Sequence, residues 1–228
     1  KIGEKISIRR FEKVTADVVA SYIHGGGRIG VLVAGNGASD DAAKEALTNI
    51  AMQIAAMNPQ YISRDEISAD ELAKIKEITI DSALNDPFSL PKPVLSKLIE
   101  KAVAGVWSAE DVAIYEEKKS NMNFLPNFLS KEAKAQLAEI ACADKEEISG
   151  NKIFSGLVEG RISKQMKEIC LLDQVYVKAE DGKQTVAAYL KSVNPALKIA
   201  KFVRFEVGEG MEKKNEDFAA EVAKQMNV

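Results

Sequence analysis

A single histidine, His24, stands directly before three glycines, and the run Gly25-Gly26-Gly27-Arg28-Ile29-Gly30 satisfies the GxGxxG spacing. In nucleotide folds such glycines let the backbone approach a pyrophosphate at a helix N-terminus. Here the next residues are IGVLV, a strand pattern, so no helix dipole would face a phosphate. A GxxxxGK(S/T) phosphate loop occurs nowhere in the chain. With one histidine, a zinc site or a Ser-His-Asp triad would have to be built through His24. Two readings of it are open on residue type alone: a turn-stabilising hydrogen bond, or a side chain displayed beside unusually bare backbone. Cys142 and Cys170 belong to no CxxC pair, which suits a reducing compartment. Glu159, Glu168 and the Glu116-Glu117 pair are carboxylates in helical patterns, where solvated surface is the ordinary role. These residues predict no enzyme and no cofactor.

The elements around His24 are strand-like. ISIRRFEKV, VVASYI and IGVLV between Lys5 and Asn36 are rich in β-branched residues and punctuated by glycine, predicting antiparallel strands with a hairpin at Gly25-Gly26-Gly27. A helix follows, with Ser39 as expected N-cap and Leu47, Ile50, Ile54 and Met57 as its apolar stripe, closed by Asn58-Pro59.

From Ser68 to Cys170 the segments read as helices. Ser68 and Glu71 have capping-box spacing, and Leu72, Ile75 and Ile78 are expected on one face. Pro87, Pro91 and Pro93 interrupt, and Ser108 and Ser130 precede further helical patterns. Phe154, Leu157, Arg161, Met166 and Ile169 mark the last helix of an antiparallel arm. Trp107, Phe124, Leu125, Phe128 and Leu129 exceed what a two-helix arm buries, so they predict a satellite core or a contact surface. Strand patterns return at QVYVKA and LKIAKFVRFEVGEG, flanking a short helix at TVAAYLKSV. Val222, Met226 and Phe218 place a final amphipathic helix after Met211.

The resulting fold class is α+β: a small antiparallel three-stranded sheet packed with helices, a long inserted coiled-coil-like helical arm, and a C-terminal helix. The expected organisation is 1–67 as the first part of an α+β dimerisation-type domain, 68–170 as the arm, 171–210 as the remainder of the domain, and 211–228 as a C-terminal helical module.

Composition narrows the function classes. The 228 residues are 46% hydrophobic and 29% charged, too apolar for a disordered chain. A net charge of -3 and 6% aromatics predict no direct nucleic-acid binding. The chain has no long apolar run, so neither a membrane span nor a secretory leader is expected, and the predicted location is cytoplasmic. It begins at Lys1 inside what reads as continuing sequence, which predicts a piece of a longer protein.

Five blocks in order, KIGEKISIRRFE, SYIHGGGRIGVLV, IAMQIAAMNPQYI, LVEGR and FVRFEVGEGMEKKNEDFAAEVA, closely resemble the elongation factor Ts family, exchange factors for elongation factor Tu. The blocks cover 1–67 and roughly 150–228. The stretch from about Ala83 to Ser149 departs from the usual arm and resembles an enlargement of it. The resemblance implies small α+β subdomains with three-stranded sheets, and no counterpart here for the family's N-terminal helical domain or its Thr-Asp-Phe motif. It also implies that Ile2, Gly3, Glu4 and His24 contact elongation factor Tu, that Val177 lies on the face toward that partner's third domain, and that the C-terminal helix bearing Phe218 leans on its nucleotide domain. A homodimer is the second partner expectation. The rival readings are a helical self-association module and, least favoured, an enzyme using the glycine run.

Overall fold

The glycine run reverses the chain as expected. Gly25, Gly26 and Gly27 have φ of 60°, 65° and 100°, a region where a Cβ is penalised, and they form a tight turn closed by Arg28 N–H donating to Gly25 O at 3.3 Å. On either side lie β1 (Val18–His24) and β2 (Ile29–Asn36), paired antiparallel from Val18 opposite Gly35 to His24 opposite Ile29. The third strand, β3 (Lys198–Glu206), pairs antiparallel with the other edge of β2, giving the order β1-β2-β3. The computed structural model describes residues 7–211, and Ile2, Gly3, Glu4, Phe218 and the expected C-terminal helix lie outside them. The chain divides into two units: one made of the segments up to Asn58 and from Tyr176 onward, the other Pro59–Val175.

In the first unit, α1 (Asp41–Met57) covers one face of the sheet. Its N-cap is Asp40 rather than Ser39, because the cap must reach the amide three residues on: Asp40 Oδ1 accepts from Ala43 N–H at 2.7 Å. Asn58, in the left-handed region with φ 46°, ends the helix before Pro59. Leu47, Ile50 and Ile54 are fully buried, each stabilising by about 1.5–3 kcal/mol. Met57, at the end of the stripe, is 48% exposed. A Cβ on Gly35 would stand 2.9 Å from Leu47 Cδ1, so the glycine permits close seating of α1 on β2.

Because directly paired residues share a face, the helix-covered side carries Val31 and Val33 together with their β3 partners Arg204 and Phe202. The apolar row of β3, Val203 and Phe205 beside Lys201, is therefore on the opposite face. There the segment Ser7–Asp17 runs without strand structure, correcting the reading of ISIRRFEKV as a strand. Side chains hold this segment instead. The Arg10 guanidinium lies 4.5 Å over the Phe205 ring, Lys201 donates to Glu12 at 3.0 Å, and Arg10 pairs with Glu209 at 3.1 Å. QVYVKA likewise forms no strand. Its backbone is taken by a turn, with Tyr176 N–H bonded to Gln184 O at 2.8 Å and Ala179 N–H to Tyr176 O at 2.9 Å.

The second unit is helical: α2 (Ala69–Asn85), α3 (Lys92–Val103), α4 (Ala109–Lys118), α5 (Lys131–Ala143), α6 (Lys145–Ser149) and α7 (Lys152–Ile169). The remaining helix among the described residues, α8 (Val186–Val193), belongs to the first unit and packs on α1. Ser68, Ser108 and Ser130 cap α2, α4 and α5 as the spacing predicts, and Ser68 with Glu71 completes a capping box. Asp111 ties two caps together. Its carboxylate, 6% exposed, accepts from the Ser108 hydroxyl at 2.8 Å, the Ser130 hydroxyl at 2.9 Å and the Ser130 amide at 2.9 Å.

This unit has its own core, which includes Leu84, Leu98, Ile99, Leu125, Leu137 and Phe154. Trp107, Leu125 and Leu129 are buried in it, with Trp107 Nε1–H donating to Ala133 O at 2.9 Å, whereas Phe124 and Phe128 stay exposed. The expected Leu72-Ile75-Ile78 face is corrected: α2 buries Ile80, Ala83 and Leu84, while Leu72 is 45% and Ile78 67% exposed. Leu72 borders an open groove of about 690 Å³ between α2 and α7, shared with Ile80, Phe154, Val158, Ile162 and Met166. The rim charges Arg64, Glu77 and Lys145 are already paired, Arg64 with Asp173 and Lys145 with both Glu77 and Asp81.

The chain enters and leaves the unit side by side. Gln60 and Tyr61 N–H donate to Ile169 O at 2.8 and 3.1 Å, and Leu171 and Leu172 N–H donate to Tyr61 O and Ile62 O at 2.9 and 3.0 Å. This clasp places the start of α2 by the end of α7, so the two long helices run antiparallel. The fold class is α+β, with the small antiparallel sheet and the inserted helical region as expected.

Candidate functional site

His24 is the last residue of β1, exposed at the hairpin end. Extended backbone (φ -113°, ψ 147°) points its side chain to the same face as Tyr22, two residues earlier. The Tyr22 hydroxyl and His24 Nδ1 are 3.1 Å apart, and the ring centroids are 5.9 Å apart. The pairing extends across the sheet in two rows, Tyr22-Val31-Arg204 and His24-Ile29-Glu206. Glu206 accepts from Arg204 Nη2 at 2.9 Å and lies 3.9 Å from Arg28 Nε, so its charge is committed to two guanidinium groups. Arg204 is largely buried, and its Nε has no hydrogen-bond partner among the described residues. Sequence reasoning singled out His24 but missed Tyr22, Arg204 and Glu206. The signal was available in the period-2 spacing of Tyr22 and His24, which puts both on one face of a strand.

Val177 sits in the turn after the helical unit, 47% exposed. Its N–H donates to Oε1 of Gln53, a fully buried side chain of α1, at 2.7 Å. Beside it Tyr176 stacks on Tyr189 of α8 with centroids 4.1 Å apart, and burial, then the hydrogen bond with Tyr189, raises the Tyr176 phenol well above its ordinary pKa. Asn49 bridges the turn and the helix, donating to the Tyr189 hydroxyl at 2.9 Å and accepting from Lys178 Nζ at 2.7 Å. His24 and Val177 are thus held on different elements by different partners.

Among the described residues no three His, Cys, Asp or Glu side chains group to hold a metal ion. Glu116 and Glu117 are paired with Lys119 and Lys118. Both His24 and Val177 present an exposed side chain on a hydrogen-bonded backbone, His24 through its pairing with Ile29 and Val177 through Gln53.

Comparison with known proteins decides the family. The model of the family "Elongation factor TS" matches residues 1–209. The chain belongs to the elongation factor Ts family. It is 38% identical over 230 residues to elongation factor Ts of Clostridioides difficile (strain 630), and 36% identical over 233 and 232 residues to those of Clostridium botulinum (strain Eklund 17B / Type B) and Clostridium novyi (strain NT). These alignments cover 99%, 99% and 100% of the chain but 56% of each relative, so the chain spans little more than half their length. Because they run through the whole helical unit, these elongation factor Ts relatives align across the segment Ala83–Ser149 as well. Among the described residues no helix is long and apolar enough to cross a membrane.

Proposed function

We propose that this chain contributes to guanine-nucleotide exchange on elongation factor Tu in the cytoplasm, by binding the nucleotide-free form in preference to the GDP-bound form. Linkage carries the mechanism: a surface that prefers the empty GTPase weakens GDP by the same factor, and no bond in the nucleotide is broken. A coupling of 1–3 kcal/mol corresponds to roughly 5- to 150-fold. The observation that supports this reading most directly is the family match over 1–209.

On this reading His24 at the hairpin end and Val177 on its Gln53-anchored turn are contacts to elongation factor Tu, and Ile2, Gly3, Glu4 and Phe218 add others. The helical unit is an appendage with its own core. The test is release of a fluorescent GDP analogue from elongation factor Tu, with and without this chain, alongside titration of the chain against nucleotide-free and GDP-loaded elongation factor Tu. At least a fivefold preference for the empty form is expected. Equal affinity for the two forms would sink the exchange reading.

A second reading, self-association through leftover apolar surface, has one observation in its favour: Phe124 and Phe128 remain 58% and 51% exposed. Concentration-dependent sedimentation tests it, and a strict monomer at high concentration is its failure.

A further inference from the structure

Tyr22 controls what His24 can offer. A phenol is an acidic hydroxyl and a poor acceptor, and the imidazole lone pair is basic, so the 3.1 Å contact is strongest with the Tyr22 O–H donating and Nδ1 accepting. A neutral imidazole carries one N–H, and the bond made at one nitrogen decides which nitrogen holds the proton. With Nδ1 occupied as acceptor, the proton is on Nε2. His24 is exposed, so Nε2–H is the group it presents to a partner. The two residues lie on one strand, two positions apart, with β1 locked to β2 by the ladder from Val18 to His24. The nearest carboxylate in the row, Glu206, is two strands away, about 10 Å by strand spacing, and is engaged by Arg204 and Arg28. Among the described residues the tautomer is therefore set by the Tyr22 hydroxyl.

We infer that Tyr22 is a positioning residue: it fixes the His24 ring in the Nε2–H tautomer and orientation, so that His24 meets its partner as a hydrogen-bond donor to a carbonyl-type acceptor. This rests on His24 being a partner contact. It adds a residue and a polarity to that contact, since a partner presenting a donor at the same place is rejected.

The chain's one histidine makes the test direct, because a long-range 1H–15N imidazole spectrum of the full 228-residue chain contains a single ring. At a pH where the ring is neutral, the parent chain is expected to show a pyridine-like Nδ1 and a pyrrole-like Nε2. Tyr22→Phe removes one oxygen and keeps the ring. It should move both nitrogens toward averaged shifts, leave the thermal midpoint unchanged, and weaken binding to nucleotide-free elongation factor Tu roughly three- to tenfold. In a His24→Ala background Tyr22→Phe should change the affinity no further. A protonated Nδ1 in the parent chain overturns the inference, and so does a Tyr22→Phe spectrum identical to that of the parent. A His24→Ala chain that binds as tightly as the parent sinks the contact itself, whereas the ring spectrum decides Tyr22's hold on the tautomer, so the two failures are told apart.

Discussion

Asp111 holds Ser130 by two hydrogen bonds at once, Oδ1 to the amide and Oδ2 to the hydroxyl, both at 2.9 Å. Since Ser130 in turn accepts from Ala133 N–H at 3.0 Å, one nearly buried carboxylate organises the start of α5 while also bonding the cap of α4. Burial alone would raise its pKa, but the Ser130 amide and the two serine hydroxyls outweigh it and hold the carboxyl below its ordinary value.

Asp111→Ala is expected to destabilise the helical unit by about 1–3 kcal/mol, because three donors lose a buried acceptor. Trp107 is the chain's one tryptophan and lies in that unit's core, so its fluorescence reports the shift in denaturation midpoint. An unchanged midpoint contradicts the role given to the carboxylate.

The same group sets an acid limb. A folded-state pKa below the unfolded value contributes stability that is present above about pH 4 and lost as pH falls through the depressed value. Trp107 fluorescence should therefore show a steeper acid loss for the parent than for Asp111→Asn, which has no such proton to take up. Parallel acid limbs for the two chains are the contrary outcome.

Two glycines separate backbone strain from steric collision. Gly26 has φ 65° and open space where a Cβ would be, so Gly26→Ala is expected to cost about 1–2 kcal/mol. Gly37 has φ 92°, and its Cβ would lie 2.1 Å from Ala196 O. Gly37→Ala should cost several kcal/mol, roughly 3 or more. Equal losses in thermal denaturation would show that the Ala196 carbonyl yields freely.

The thiols differ in reach. Cys142 is exposed, whereas Cys170 is fully buried, and that burial, followed by the charge of Asp173, pushes its thiol pKa up. A chromogenic disulfide reagent at pH 8 should modify one thiol in the native chain and two in denaturant. Rapid modification of both natively would mean that the clasp around Cys170 opens.

Gln53→Ala should loosen the turn that carries Val177, leaving its N–H without this acceptor at a cost of about 1–3 kcal/mol. If Val177 is a contact, affinity for nucleotide-free elongation factor Tu falls with it, which titration measures.

What the residues disclosed follows the range of the forces involved. Serine caps three residues from the amide they bind, a glycine run at a hairpin and Asn58-Pro59 at a helix end are local, and Ser68, Ser108, Ser130 and Gly25-Gly26-Gly27 were legible for that reason. ISIRRFEKV and QVYVKA have strand composition but find side-chain and turn partners first: Arg10 on Phe205, and Tyr176 on Tyr189. Which face of β3 meets α1 depends on its register against β2, and LKIAKFVRFEV alone does not contain that register. Leu72 follows the helical period yet borders a groove, because periodicity specifies a face and not what covers it. At the candidate site His24 was conspicuous as the one histidine, while Tyr22 mattered only once a ring nitrogen and a hydroxyl were 3.1 Å apart.

The paired backbone at Gln60–Ile62 and Ile169–Leu172 has an evolutionary corollary. Once the two ends of a segment are stitched together at its base, the distance its host must bridge no longer depends on how much chain lies beyond the stitch. Helices can then be gained, lost or exchanged there in steps of any size while the sheet, the hairpin and α8 keep their geometry, so lineages are free to remodel this appendage without renegotiating the rest.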